Sequence, residues 1–115
     1  MRVLVVEDEV LVSIMLADFL IELGHEIAAV ESTVSAALAQ LTDHPPELVL
    51  LDLRLEGEMG YPVAELCRER QIPLVLTTGV DPAMLPASMG GFVLVEKPFS
   101  LGTLRDAVLR ATQSG

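Results

Sequence analysis

Five short apolar runs constrain this chain most: Val3 to Val6, Ile27 to Val30, Leu48 to Leu51, Leu74 to Leu76 and Phe92 to Val95. Each is continuous rather than alternating, which is the pattern of a strand in a parallel sheet covered on both faces. Parallel strands need long crossovers, and the intervening segments supply them. Val12, Leu16, Phe19, Leu20 and Leu23 share one helical face, with Gly24 as a stop after them. Val34, Ala37, Leu38 and Leu41 form a second stripe, capped by Ser32 or Thr33 and ended before Pro45. Val63, Leu66 and Cys67 give a third, while Leu101, Leu104, Val108 and Ala111 give the last, with Ser100 at its N-cap. Five alternating β and α units predict an α/β fold with a doubly wound, five-stranded parallel sheet.

The fourth crossover breaks this rhythm. In "VDPAMLPASMGG", Pro82 suits the first turn of a helix, but Pro86 removes an interior hydrogen bond. The spacing predicts a fourth helix that is short or absent, followed by a flexible Gly90-Gly91 link. No internal repeat, low-complexity tract or linker interrupts the rest, so residues 1–115 are expected to form a single domain with no output domain.

Composition removes several function classes. No apolar run approaches the roughly 18 to 20 residues of a membrane span, and the start lacks a signal-peptide pattern. The lone Cys67 excludes a disulfide framework or a cysteine metal site within one chain. A cytoplasmic protein without membrane association is expected. Seven Lys and Arg against seventeen Asp and Glu leave a net charge of −10, which disfavours direct nucleic-acid binding.

In open parallel sheets, ligands bind outside the carboxyl ends of the strands. The first run exits into Glu7, Asp8 and Glu9, the third into Asp52, the fourth into Thr77, Thr78 and Gly79, and the fifth into Glu96, Lys97 and Pro98. Carboxylates, a hydroxyl and an ammonium therefore converge on one edge. Clustered carboxylates suit a hard divalent cation such as magnesium, which prefers oxygen ligands. Each residue also has a plain reading. The three acids favour the positive end of the next helix, Asp52 and Gly79 suit turns, and Lys97 suits a solvated surface. Singly the plain readings are favoured; jointly the convergent site is, because four exits would each have to carry the right chemistry by chance.

At these residues the chain resembles the receiver domain of two-component response regulators, from "VLVVEDE" through "LVLLDLRL" and "IPLVLTTG" to "VEKPFS". The resemblance implies a flavodoxin-like receiver fold with strand order 2-1-3-4-5. It implies that Asp52 accepts a phosphoryl group from the phosphohistidine of a sensor histidine kinase or phosphotransfer protein, changing the binding of a downstream protein partner. Glu7 and Asp8 match the acidic pair that holds Mg2+ together with Asp52, and the backbone carbonyl of Arg54 is a further implied metal ligand. Thr78 matches the switch hydroxyl, with Gly79 beside it, and Lys97 matches the phosphoryl-binding lysine. Pro98 matches the position where the Lys-Pro bond is cis.

Three departures qualify this expectation. The aromatic residue usual three positions before the lysine is replaced by Leu94, with Phe92 two residues earlier. The proline-broken crossover resembles an alphaproteobacterial subgroup whose fourth strand ends in Phe-Ala-Thr-Gly-Tyr, although "LTTGV" retains only Thr78 and Gly79. That subgroup implies a partner kinase of the HWE or a related type. Arg54, two residues after the phosphoacceptor, is expected to border the phosphoryl group and slow its hydrolysis; pairing with Glu56 or Glu58 is its plain alternative.

Two competing functions stand beside the phosphoacceptor switch. Haloacid-dehalogenase-like phosphohydrolases also place a nucleophilic Asp after a parallel strand, but with a second Asp two residues on, where this chain has Arg54. An enzyme acting on free substrates is therefore not expected. A non-phosphorylated receiver-like interaction module is the other alternative, kept open by Leu94. His25 and His44 lie in loops without ligand spacing, Cys67 sits in an apolar stripe, and Met84 and Met89 read most simply as gap fillers.

Overall fold

The computed structural model describes residues 1–79 and 81–113. Five parallel strands form one sheet in the order β2-β1-β3-β6-β7: β1 (Arg2–Val6), β2 (Glu26–Glu31), β3 (Leu48–Asp52), β6 (Leu74–Thr78) and β7 (Val93–Glu96). Counted by the five apolar runs, this is the order 2-1-3-4-5 expected of the receiver fold. Helices α1 (Val10–Glu22), α2 (Val34–Asp43) and α3 (Tyr61–Arg70) provide the first three crossovers, and α4 (Leu101–Thr112) follows the last strand.

The continuous apolarity has a direct structural cause. Successive side chains of a strand face opposite ways, and both sides of this sheet are covered. Leu4, Val6, Val49, Leu51, Leu74 and Leu76 pack with Val34, Ala37 and Leu41 of α2 and with Val63, Ala64 and Cys67 of α3. On the other side, Val3, Val5, Leu48, Leu50, Val75 and Val95 pack with Leu16 and Leu20 of α1 and with Leu104, Ala107 and Val108 of α4. Central β3 is buried along its whole length. Each fully buried Leu or Val is worth about 1.5–3 kcal/mol, so the register of β3 is strongly specified. A one-residue slip would send Asp52 into a different setting.

Helix ends follow local chemistry. The Thr33 hydroxyl accepts the Ala36 N–H at 3.2 Å, and the Ser100 hydroxyl accepts the Thr103 N–H at 3.1 Å. In place of a fourth-crossover helix there are two single 3-10 turns, Pro82–Met84 and Ala87–Met89. Met89 is buried and packs against the core on the α2–α3 side of the sheet. The Gly90-Gly91 link that follows them makes one contact back to α3. Arg68 of α3 donates to the Gly90 carbonyl at 3.1 Å and lies over the Phe92 ring, 4.3 Å from its centroid.

One element was not expected. Directly after Asp52, Arg54–Leu55 (β4) and Glu58–Met59 (β5) pair as a small antiparallel hairpin. Gly57 takes φ +74° in its turn, a conformation that favours glycine. At its exit, a Cβ on Gly60 would come within 3.0 Å of Leu51 Cδ1 and 3.2 Å of the Asp52 carbonyl oxygen, so a side chain there would crowd β3.

Candidate functional site

Lys97 joins two distant segments at the carboxyl edge of the sheet. Its ammonium donates to Glu7 Oε1 at 2.8 Å and to Asp52 Oδ2 at 2.9 Å. The backbone explains the placement. The Lys97 N–H donates to the Thr78 carbonyl at 2.7 Å, which extends the β6–β7 ladder to its end, and the Lys97–Pro98 peptide is cis. Glu7 is fixed similarly, its N–H donating to the Glu31 carbonyl at 3.0 Å. The second oxygen of each carboxylate is held by a following backbone N–H: Glu9 to Glu7 Oε2 at 3.2 Å and Arg54 to Asp52 Oδ1 at 3.0 Å.

Glu7 and Asp52 are almost fully buried, at 2% and 4% exposure. Burial pushes the Glu7 carboxyl up from 4.5 to about 7; the Lys97 hydrogen bond pulls against this, and neighbouring Asp52 adds to the rise. For Lys97, burial acts to lower the ammonium, but its bonds to Glu7 and Asp52 outweigh burial and hold it above its usual value. One shared ammonium is thus surrounded by excess negative charge.

That excess fits a divalent cation. Glu7, Asp8 and Asp52 each offer a carboxylate oxygen, and the three lie within 4.8 Å of one another. Fully ionised, they carry three negative charges against one on Lys97, leaving a deficit of two that a 2+ ion would offset. The Gly60 N–H donates to the Leu53 carbonyl at 2.7 Å, so facing residues Arg54 and Met59 exchange no hydrogen bonds. The N–H and C=O of Arg54 therefore both point away from β5, toward the side where its N–H meets Asp52.

A cleft of about 380 Å³ opens over this group, lined by Asp52, Arg54, Met59, Tyr61, Thr78, Gly79 and Lys97 among others. Of the residues singled out in the sequence, the structure brings Glu7, Asp8, Asp52, Thr78, Gly79 and Lys97 to one edge. Leu94 and Phe92 are not in this cleft; they line a separate cavity of about 310 Å³ beneath the broken crossover. Arg54 is exposed at the rim, and Glu58, weighed as its ion partner, instead accepts the Val34 N–H at 3.1 Å. Met59, at the end of the hairpin, and Tyr61, at the start of α3, were missed as cleft residues. Cys67 is buried in the core with its thiol pushed up to about 12 by burial, and it is remote from this edge.

The Glu7 shift sets a testable pH dependence in metal-free protein. The native state holds this proton up to about pH 7, whereas the unfolded chain releases it near 4.5. Between these values the native state binds more protons, so Glu7's contribution to stability is present at low pH and is lost as pH rises through about 7. With EDTA present, the stability of Glu7→Gln relative to wild type is expected to improve between pH 5 and pH 8, measured by urea unfolding. Added Mg2+ is expected to stabilise the wild type more at pH 8 than at pH 5.5, because metal and proton compete for the carboxylate. A pH-independent difference between the two proteins would refute the shift.

Known proteins share both this frame and its sequence. The response regulator receiver domain family matches residues 3–109. The transcriptional regulatory protein PdtaR of Mycobacterium tuberculosis is 34% identical over 113 residues, covering 93% of this chain and 54% of that protein. The response regulator protein FleR of Pseudomonas aeruginosa is 35% identical over 114 residues, covering 95% of this chain and 24% of that protein. The chain therefore spans about half or less of the length of these relatives. Among solved structures, the PhyR response regulator REC domain of Erythrobacter litoralis superposes with a TM-score of 0.85 at 31% identity, covering 99% and 93% of the two chains. SdrG of Sphingomonas melonis gives 0.85 at 34% identity, with 98% and 96% covered. Both neighbours are alphaproteobacterial, in line with the subgroup resemblance. By sequence, strand order and the acid-lined edge alike, this chain belongs to the response regulator receiver domain family.

Proposed function

We propose that this protein is a phosphoacceptor switch in which Asp52 takes a phosphoryl group from a phosphohistidine, with Mg2+ held by Glu7, Asp8, Asp52 and the Arg54 carbonyl. Receiver domains are signalling phosphoacceptor domains that bind Mg2+ at an acidic pocket and interact with histidine kinases or phosphotransfer proteins. The observation that carries the reading here is the Lys97 ammonium placed between Glu7 and Asp52.

An Asp52 oxygen attacks phosphorus as the N–P bond of the phosphohistidine breaks and its electron pair returns to the imidazole. This brings an anionic group against a carboxylate in an acidic protein, so positioning and charge neutralisation supply most of the catalysis. Lys97 supplies one positive charge at bonding distance of Asp52. The cation, when bound, neutralises charge on the phosphoryl oxygens. Thr78, at the end of β6 and lining the same cleft, is placed to meet a new acceptor oxygen on phospho-Asp52, drawing the following loop inward. The phosphoryl group shifts the equilibrium through its different contacts in the two states.

The partner surface is proposed on α1, which begins immediately after the acidic exit. Leu11 and Ile14 are 83% and 53% exposed, and Val10 and Ile21 extend the apolar area. Such a stripe fits the helices of a phosphodonor, an HWE-type or related kinase being the candidate. Leu11→Glu combined with Ile14→Glu is expected to slow transfer from a phosphohistidine kinase at least tenfold while sparing phosphorylation by a small acyl phosphate. Equal loss with both donors would remove the surface from the mechanism.

Intact mass after incubation with Mg2+ and an acyl phosphate tests the central claim: one phosphoryl adduct is expected on the wild type and none on Asp52→Asn. With magnesium binding confirmed and hydrolysis excluded, no adduct on either protein would support the interaction-module alternative. Arg54 borders the cleft, where a guanidinium can pair with phosphoryl oxygens and obstruct water. Phosphorylated Arg54→Asn is expected to lose its phosphoryl group several-fold faster than wild type. Equal rates would exclude that role.

A further inference from the structure

We infer that Glu58 is a positioning residue for the metal-holding edge of Asp52, acting as a latch between the β4–β5 hairpin and the N-terminus of α2. The inference rests on the proposed Mg2+ site, although its first readout needs no metal.

The hairpin has two faces, because directly opposed residues of an antiparallel pair point the same way. Arg54 and Met59 form one opposed pair, and both line the acidic cleft. Leu55 and Glu58 form the other and turn toward α2. Leu55 is buried beside Val34 and Val63 in the core on that side. Glu58 Oε2 accepts the N–H of Val34, the first residue of α2, at 3.1 Å. That N–H is one of the donors a helix leaves unpaired at its start, and a carboxylate there also meets the positive end of the helix dipole. Thr33 satisfies a different donor, the Ala36 N–H, so the two acceptors divide the helix end between them.

This corner of the fold is a shared reference for the site. At the end of β2, the Glu31 carbonyl accepts the Glu7 N–H at 3.0 Å, fixing the first acidic ligand. Three residues on, the Val34 N–H holds Glu58 and hence the hairpin. The hairpin in turn carries the Arg54 peptide, whose N–H donates to Asp52 Oδ1 at 3.0 Å and whose carbonyl shares that edge. Both halves of the metal site are thereby set from the β2–α2 corner. Without the latch, the hairpin retains its Leu55 anchor but gains freedom to rock about it, loosening the Arg54 peptide against Asp52. Partners that orient metal ligands typically matter tenfold or more in affinity.

Three variants test this. Glu58→Ala removes the acceptor, Glu58→Gln keeps an oxygen that can accept the Val34 N–H, and Thr33→Ala weakens the same helix end without touching the hairpin. In metal-free protein, NMR-detected hydrogen exchange of the Arg54 amide is expected to accelerate several-fold in Glu58→Ala but to stay near wild type in Glu58→Gln and Thr33→Ala. Mg2+ titration is expected to show about tenfold weaker binding for Glu58→Ala alone. Unchanged Arg54 exchange in Glu58→Ala, or equal effects in Thr33→Ala, would overturn the latch and leave the metal site standing. If the wild type binds no Mg2+ while the exchange pattern holds, the latch survives as a hairpin anchor and the Mg2+ reading fails.

Discussion

The shared ammonium of Lys97 is the interaction on which the carboxyl edge depends. It connects residues 90 and 45 positions away in the chain, reaching β1 through Glu7 and β3 through Asp52. Two carboxylates buried this deeply would repel each other and resist ionisation if left alone. Burial still wins at Glu7, whose carboxyl is pushed up to about 7 despite the bond to Lys97. The edge is therefore undercompensated by design of its charges. Its negative excess suits a divalent cation, and in the proposed function its single fixed cation would meet an incoming phosphoryl group.

Such an arrangement requires exits that do not move relative to one another. Parallel strands buried on both faces provide this, because a side chain leaving the register of β1, β3, β6 or β7 would break close packing on one side. The ladder runs to the last useful residue: Thr78 pairs with Glu96 in register, and Lys97 adds one more bond to the Thr78 carbonyl. The switch hydroxyl and the phosphoryl-binding lysine proposed here are thus carried by adjacent strand ends within one hydrogen-bonded frame. The hairpin does similar work for Asp52, supplying the Arg54 N–H to one oxygen while Lys97 holds the other.

The sheet was legible in the sequence because its physical cause is local and repeated. Continuous apolar runs such as "LVLL" can be buried on both faces only, and stripes such as Leu104, Val108 and Ala111 settle which turns of the crossovers face inward. The convergence of Glu7, Asp52 and Lys97 was legible because topology places all strand exits on one edge. The hairpin was not legible. Its strands are two residues each, its exposed members are polar or flexible, and the close approach of Gly60 to β3 at its exit is a tertiary condition. Missing the hairpin also hid Met59 from the cleft, and Glu58, weighed with Glu56 only as a plain alternative partner for Arg54, is given by the fold to Val34. The contact of Arg68 with the Gly90 carbonyl, 22 residues away, was hidden for a similar reason.

The broken crossover changes what a signal on this edge has to work against. Where a full helix would present a packed stripe to β6 and β7, this chain has two single turns, with Leu85 and Met89 over a cavity that Leu94 and Phe92 also line. Few apolar contacts and short-range hydrogen bonds are the ordinary marks of low local stability. Phe92 lies under the Arg68 guanidinium, and Leu94 has no ring to rotate. In the proposed switch, a pull on Thr78 would meet the peptide segment 81–91 and the cavity beside it rather than an aromatic side chain at position 94. The same departures from the usual pattern that weaken an aromatic readout leave room, in the physical sense, for a readout by rearrangement of the crossover itself.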